Sequence, residues 1–255
     1  MSDALNSTAA APSPAVSIVL PVKNEAGNIG PLVQEIAAAL AGYDFEIVVV
    51  NDGSRDGTEA ELMALMQTMP RLRLIRHVVS CGQSAAVRTG VLAARAPVVA
   101  TLDGDGQNNP AFLPALLAPI LGGNQNIGLV AGQRVDRQAT SSKKWQSRVA
   151  NEVRRMVLKD GARDSGCGLK AFRRDTFISL PFFDGLHRFL PALFRREGFN
   201  VEFLDVVDRE RGHGKSNYGM MDRLASGLLD LGGVWWLMQR RKHIPSAAEV
   251  KNDAR

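Results

Sequence analysis

Two short runs of β-branched and apolar residues, Val16 to Val22 (VSIVLPV) and Phe45 to Val50 (FEIVVV), each close on a polar turn and read as strands buried on both faces. Between them Ile29, Leu32, Val33, Ile36 and Leu40 recur at helical spacing, with Gly42 as a stop, so the stretch predicts a βαβ unit. The alternation continues with a helix near Glu59 to Met69, a strand near Leu72 to Arg76, a helix from Gln83 to Ala94 and a strand from Val98 to Leu102. Strands and helices that alternate in this way predict an α/β fold with a mostly parallel sheet covered by helices on both faces.

After Asp136 the regular pattern fades into a helix from Lys143 to Leu158, a glycine-rich loop at Asp164 to Gly168 and a strand near Val201 to Val206. Lys143, Lys144, Arg154 and Arg155 read as a solvated helix face. The last apolar stretch, Leu224 to Met238, is fifteen residues long and contains Asp230. A membrane-spanning helix needs about 20 apolar residues, so this one is too short. Trp235 and Trp236 followed by Arg240, Arg241 and Lys242 suit an interfacial anchor, and a contact helix is the equal alternative.

Composition narrows the reading. A chain of 255 residues with 45% hydrophobic content supports one large domain plus appendages. The expected boundaries are a disordered tail over 1–15, one unit over 16–222, the interfacial or contact helix over 223–243 and a second disordered tail over 244–255. Cys81 and Cys167 have neither metal-type spacing nor a paired framework, which argues against a disulfide scaffold or structural zinc and for a reducing, cytoplasmic setting. The first fifteen residues lack the basic start and apolar stretch of a secretory signal. A net charge of +5 suits phosphates or an anionic membrane surface, whereas 6% aromatics and no recognised DNA or RNA motif exclude nucleic acid as a partner.

Ligands of open α/β sheets sit at the carboxyl ends of the strands, and there the polar loops of this chain fall. They are Lys23-Asn24-Glu25, then Asn51-Asp52-Gly53-Ser54, then Asp103-Gly104-Asp105-Gly106-Gln107. Asp103 and Asp105 supply carboxylates that can hold Mg2+ or Mn2+ against a diphosphate, with Gly104 and Gly106 letting the backbone come close to a ligand. A lone D-x-D is equally a solvated turn. The neighbouring loops favour the site: Asp52 is placed for a nucleobase or ribose, and Glu25 for a ribose hydroxyl or for the helix dipole. Asp56 and Thr58 are expected to cap the next helix. His187 and His213 are expected to be structural or peripheral.

The runs SIVLPVKNEAGNI, EIVVVNDGSRDGT and VATLDGDGQNNP resemble the family 2 glycosyltransferases of the GT-A fold. DSGCGLKAFRRD and the late RERGHGKSNYG resemble the segments of the branch containing dolichyl-phosphate mannose synthase and the polyprenyl-phosphate glycosyltransferases. The likeness covers roughly Val16 to Arg223, and ordered motifs together are more specific than any one. It implies that Pro21, Lys23, Glu25, Val50, Asp52, Asp103 and Gly104 line a nucleotide-sugar pocket, with Asp103, Asp105 and Gln107 as the metal and diphosphate site. It implies further that Arg134, Arg148 and Arg211, with Lys215 and Ser216 in the late loop, hold an acceptor phosphate. Lys23 departs from the branch's tyrosine, which leaves nucleobase and sugar open; Asn51 departs from its first aspartate and Asn217 from its lysine, so one late-loop charge is absent unless Lys215 substitutes. The two transmembrane helices of many relatives do not follow, so attachment to the inner face of the membrane is expected to be peripheral or through a small membrane protein, with self-association an open alternative.

A phosphate acceptor is already mainly dianionic at pH 7, its second pKa being about 6, and needs no base. The expected reaction is therefore inverting, metal-dependent transfer from a UDP- or GDP-sugar to a polyprenyl phosphate. The alternatives are transfer to a saccharide hydroxyl with Asp164 or another late carboxylate as base, and a protein that binds a nucleotide sugar without turnover.

Overall fold

A computed structural model describes residues 13–135, 152–209 and 220–240. Seven strands, β1 (Val16–Val22), β2 (Phe45–Asp52), β3 (Leu72–His77), β4 (Val98–Thr101), β5 (Ile127–Arg134), β6 (Lys170–Arg173) and β7 (Asn200–Val206), form one sheet in the order β3-β2-β1-β4-β6-β5-β7. Only β6 runs against its neighbours β4 and β5, and the remaining pairings are parallel. The helices are α1 (Ile29–Ala39), α2 (Thr58–Met66), α3 (Gln83–Ala93), α4 (Leu113–Leu121), α5 (152–158), α6 (Arg174–Ser179), α7 (Leu190–Arg196) and α8 (Met220–Gln239).

Period-2 alternation sorts each central strand onto the two sides of the sheet. Val16, Ile18, Leu20 and Val22 of β1, with Phe45, Ile47 and Val49 of β2, join the core under α1, α2 and α4. Val19 and Val48 face the other core, which α3, α6, α7 and α8 cover. Each such fully buried valine or isoleucine contributes about 1.5–3 kcal/mol by leaving water. On this second face α3 lies tightly on the sheet at Gly90, where an added Cβ would come within 2.4 Å of Val19 Cγ1.

The short β6 was not legible in the chain, where its four residues KAFR follow the Asp164 to Gly168 loop and were assigned to no element; its place depends on backbone partners in β4 and β5. The helix expected from Lys143 is seen over 152–158, and 143–151 lie outside the described residues. Arg154 corrects the expectation of a solvated face. It is 6% exposed, its Nη2 pairs with Asp160, and its guanidinium lies 5.7 Å from the Phe189 ring centre. Arg155, one step around the helix, is exposed and pairs with Glu152. Spacing alone could not separate the two, because the element that covers Arg154 comes from later in the chain.

The last helix docks on α7 and on the second core through Val234, Leu231, Leu237 and Met238, and Arg196 Nε donates to the Leu237 carbonyl at 3.0 Å. Leu229, Trp235 and Trp236 point away from that core and are exposed. No helix among the described residues is long and apolar enough to cross a membrane.

The strand order reverses between β1 and β4, since β2 and β3 lie on one side and the later strands on the other. At such a switch point ligands of open α/β sheets bind, here at the carboxyl ends of β1 and β4.

Candidate active site

The loop after β1 is latched to α2. The Glu25 amide donates to Thr58 Oγ1 (2.8 Å), the Ala26 amide to Asp56 Oδ2 (3.1 Å), and the Gly27 and Gly30 amides to the Glu61 carboxylate (2.8 and 2.9 Å). The N-cap of α2 is Gly57, without a side-chain cap, so neither Asp56 nor Thr58 occupies the expected capping position; Asp56, one residue earlier, accepts from the Thr58 amide at 3.0 Å. Glu25 is buried and accepts from Asn28 Nδ2 at 2.8 Å. Beside this loop an open groove runs between Lys23 and Asn24 on one side and Gly53, Arg55, Val79 and Ser80 on the other. Val78 and Val79 present 93% and 68% of their surface to solvent there, an apolar lip on a groove that Lys23 and Arg55 also line.

Asp52, the last residue of β2, is 4% exposed and organises the far wall of this groove. Its Oδ1 accepts from His77 Nδ1 (2.7 Å) and the Cys81 amide (2.8 Å), and its Oδ2 accepts from Ser80 Oγ (2.7 Å) and the Gly82 amide (2.9 Å). Burial works against its charge, but these four donors outweigh it and its pKa falls below the usual 3.8. The carboxylate expected to touch a nucleoside is thus bonded to residues 77 to 82, which border the groove.

The acidic loop after β4 behaves in the opposite way. Asp103 accepts from Gln83 Nε2 at 2.7 Å, and its amide donates to Asn108 Oδ1 at 3.0 Å. Burial first, then the charges of Asp105 and Asp208, push its pKa up to about 6 against the pull of Lys170 and Arg134. Asp105 Oδ1 accepts from the Gln107 amide at 3.1 Å, which folds the loop back on itself, and Gly106 at φ +77° makes that turn. The close approach that Gly104 permits is to β1: an added Cβ would meet Val22 Cγ1 at 2.4 Å and the Pro21 carbonyl at 3.2 Å. Pro21 and Val50 stand in β1 and β2, so they support the crevice from within the sheet. At Gly168 a Cβ would fall 2.5 Å from Asp103 Cγ and Asn108 Oδ1, so the turn into β6 presses directly on the acidic loop.

Across the crevice Arg134 ends β5. Its Nε and Nη2 fork onto Asp164 at 2.5 and 3.0 Å, and its Nη1 reaches Asp208 at 3.4 Å. Burial disfavours its charge, yet Asp164 more than compensates and its pKa rises. Asp164 is lowered in return, burial opposing and the Arg134 hydrogen bonds prevailing. Asp208 is raised by burial despite Arg134, and it also accepts from Asn108 Nδ2 at 3.2 Å. Lys170 is buried, donates from Nζ to the Cys167 carbonyl, and is lowered by its loss of water. Arg209 stitches the end of β7 to the acidic loop, its amide on the Gln107 carbonyl (2.8 Å) and its guanidinium on Asn109 (2.8 Å) and Glu35 (2.7 Å).

Asp103 thus lies between opposing fields, raised by burial and by the charges of Asp105 and Asp208 and lowered by Lys170 and Arg134. Carboxylate oxygens two positions apart on one loop suit Mg2+ or Mn2+, so the residues present fit such an ion.

Of the expected residues, Lys23 lines the groove, Asp103 lies in the field of Asp105 and Arg134, Gly104 packs on Pro21, Asp105 bonds the Gln107 amide, and Glu25, Val50 and Asp52 stand at or beside the ends of β1 and β2. Arg148, Arg211, Lys215 and Ser216, with His213, lie outside the described residues. His187 is structural: its Nδ1 meets Ser84 Oγ at 2.7 Å and burial lowers its pKa to about 3. Gln83, Asn108, Lys170, Asp208 and the groove's Arg55 were not singled out in the sequence. Lys170 and Asp208 lie inside or beside motifs that were noticed, but only folding shows what they face.

The model of the family described as glycosyl transferase family 2 matches residues 17–180. The dodecaprenyl-phosphate galacturonate synthase of Rhizobium johnstonii is 31% identical over 233 residues, which cover 88% of this chain and 67% of that protein. The undecaprenyl-phosphate 4-deoxy-4-formamido-L-arabinose transferase of Pseudomonas aeruginosa is 32% identical over 220 residues, or 85% of this chain and 63% of the relative. This chain thus spans about two thirds of the length of these curated relatives. Among solved structures, glucosyl-3-phosphoglycerate synthase from Mycobacterium tuberculosis, in complex with Mn2+, UDP and glucosyl-3-phosphoglycerate, superposes with a TM-score of 0.65 at 20% identity, covering 89% of this chain and 80% of that one. At that identity the likeness concerns the fold.

Proposed function

This chain belongs to glycosyl transferase family 2, and we propose that it transfers a sugar, with inversion, from a nucleotide-linked donor to a polyprenyl phosphate at the inner face of a membrane. The observation that carries the reading is the Asp103 carboxylate beyond the end of β4, pushed up to about 6 by burial and by the neighbouring charges of Asp105 and Asp208, which a divalent ion beneath the donor diphosphate would relieve. Asp103 and Asp105, with Gln107 beside them, would hold that ion, and it would offset the charge that develops on the leaving diphosphate.

The protein's own residues do the rest. The groove between Lys23, Asn24, Arg55 and the Val78–Val79 lip receives the nucleoside, and Asp52 holds its wall in place. Arg134 is pinned by the Asp164 fork and reaches Asp208 through Nη1, so its guanidinium is oriented before any acceptor arrives. A guanidinium fixed in that way can position an acceptor phosphate opposite the leaving group at little entropic cost. Arg148, Arg211, Lys215 and Ser216 would complete the phosphate site, as in the branch that the late motifs resemble. The relatives named for dodecaprenyl and undecaprenyl phosphate support this choice of acceptor.

The forked Asp164 has a lowered pKa, which suits it poorly to accept a proton, so a hydroxyl acceptor would have to rely on Asp208. Leu229, Trp235 and Trp236, with Arg240 stacked 5.6 Å from the Trp236 ring centre, are the surface through which α8 would meet lipid or a small membrane protein. Purified protein given UDP- or GDP-sugars with Mn2+ is expected to glycosylate a polyprenyl phosphate and to invert the anomeric centre. Turnover on saccharides alone, or a product with retained configuration, would overturn the reading.

A further inference from the structure

A second group of metal-ligating side chains stands apart from the acidic loop. One ligand atom from each of Asp52, His77 and Cys81 lies within 4.8 Å of the others. Tetrahedral coordination at zinc's bond lengths separates ligand atoms by roughly 3.3–3.8 Å, so small side-chain adjustments bring the three into range. Two of them are held by the sheet itself, since Asp52 and His77 are register partners on the parallel strands β2 and β3. Cys81 follows four residues after His77, and its amide is already bonded to Asp52 Oδ1 at 2.8 Å.

The surroundings are those of a supported ligand set. His77 Nε2 lies 2.9 Å from Thr89 Oγ1 on α3, so that ring nitrogen has a partner while Nδ1 faces Asp52. Ser80 Oγ and the Gly82 amide fix the other Asp52 oxygen. Cys81 is exposed, which leaves a coordination position open to water, whereas Cys167 is buried with its thiol pushed up to about 11. We propose that Asp52, His77 and Cys81 form a binding site for a Zn2+-class ion on the wall of the groove, separate from the all-oxygen centre at Asp103.

The donor types separate the two sites. Imidazole and thiolate select Zn2+ or Co2+, while the carboxylates of the acidic loop suit Mg2+ or Mn2+. On binding, the Cys81 thiol gives up its proton to solvent. The His77 proton moves from Nδ1 to Nε2, where it is donated to Thr89, and the Nδ1 lone pair turns to the metal. The bound charge is then neutral, with carboxylate and thiolate balancing the ion. Because Ser80 and Val79 line the same groove, an ion seated here also crowds the nucleoside; that consequence alone rests on the reading above.

Cobalt titration of the full chain without nucleotide tests the site by itself. One Co2+ per chain is expected to give a thiolate-to-metal absorption band that Zn2+ abolishes by displacement. Cys81→Ser should remove the band and weaken Zn2+ binding at least tenfold, His77→Ala should weaken it similarly, and Asp105→Ala should leave the band intact. Absence of the band from the wild type, or its survival in Cys81→Ser, overturns the proposal. Circular dichroism on each variant separates lost ligation from lost fold. These readouts are independent of any sugar transfer, so the site can fail while the proposed reaction stands.

Discussion

Asp52 and Asp103 stand at the carboxyl ends of β2 and β4, on either side of β1, yet they are opposite electrostatic objects. Asp52 collects four donors from its own chain and is held below its ordinary pKa. The Asp103 side chain has the Gln83 amide, looks toward Asp105 and Asp208, and is pushed up to about 6. One carboxylate is held charged by donors of the fold, and the other is pushed toward its proton by burial and neighbouring charge. The position of a carboxylate in a strand-end loop therefore says little about its task, whereas its balance of donors and charges says much. A metal at Asp52 would have to displace the His77 hydrogen bond and offer imidazole and thiolate bonds in exchange, so occupancy there is optional where at Asp103 it relieves repulsion.

The contrast can be broken in four ways, beginning with the largest effect. Asp105→Ala should lower kcat/KM with Mn2+ on the order of a hundredfold or more, because charge stabilisation by a held metal is worth several kcal/mol. Thermal unfolding of that variant without metal should match or exceed the wild type, since a repelling carboxylate is gone; unchanged turnover would remove Asp105 from the centre. Asp52→Asn should act on stability instead. Its amide nitrogen would face donors where an oxygen accepted, at a cost of about 2–3 kcal/mol in denaturant unfolding. If Asp52→Asn unfolds at the wild-type midpoint, the carboxylate is not the organiser of residues 77–82.

Gly168→Ala is expected next, at about 1–3 kcal/mol, because its Cβ has nowhere to go but into Asp103 and Asn108. Here the sharper readout is Mn2+ affinity, which should weaken even in molecules that remain folded. The smallest effect is that of pH. With the Asp103 pKa near 6, a proton competes with the metal, so Mn2+ affinity measured by calorimetry should fall about tenfold from pH 7 to pH 5. Without metal the two carboxylates have opposite signatures. The folded state binds the Asp103 proton more tightly than the unfolded chain does, so this group's contribution to stability declines as pH rises from 3.8 to about 6. Asp52 contributes above 3.8 and loses that contribution as pH falls through its lowered pKa. Asp103→Asn should erase the first slope and leave the second, and the reverse result would exchange the roles assigned here.

Much of the donor side was legible in the chain. The apolar runs of β1, β2 and β4 and the helical spacing of α1 and α3 are local patterns, and the polar loops begin where those runs end. The later half was less so. β6 is four residues long and exists as a strand because β4 and β5 flank it; Arg154 reads as surface charge until Phe189 and Asp160 cover it. Asp208 sits at the close of an ordinary strand, and only the fold sets it against Arg134 and near Asp103.

What the sequence determined by itself was the α/β alternation and the placing of carboxylates at strand ends, because periodicity and strand termination depend on neighbours along the chain. What the tertiary structure decided was which carboxylate is held charged by its donors and which is pushed up by burial and neighbouring charge. That choice is a balance of burial, donors and charge, and its terms come from residues such as His77, Lys170 and Asp208 that meet their partners only when the sheet assembles.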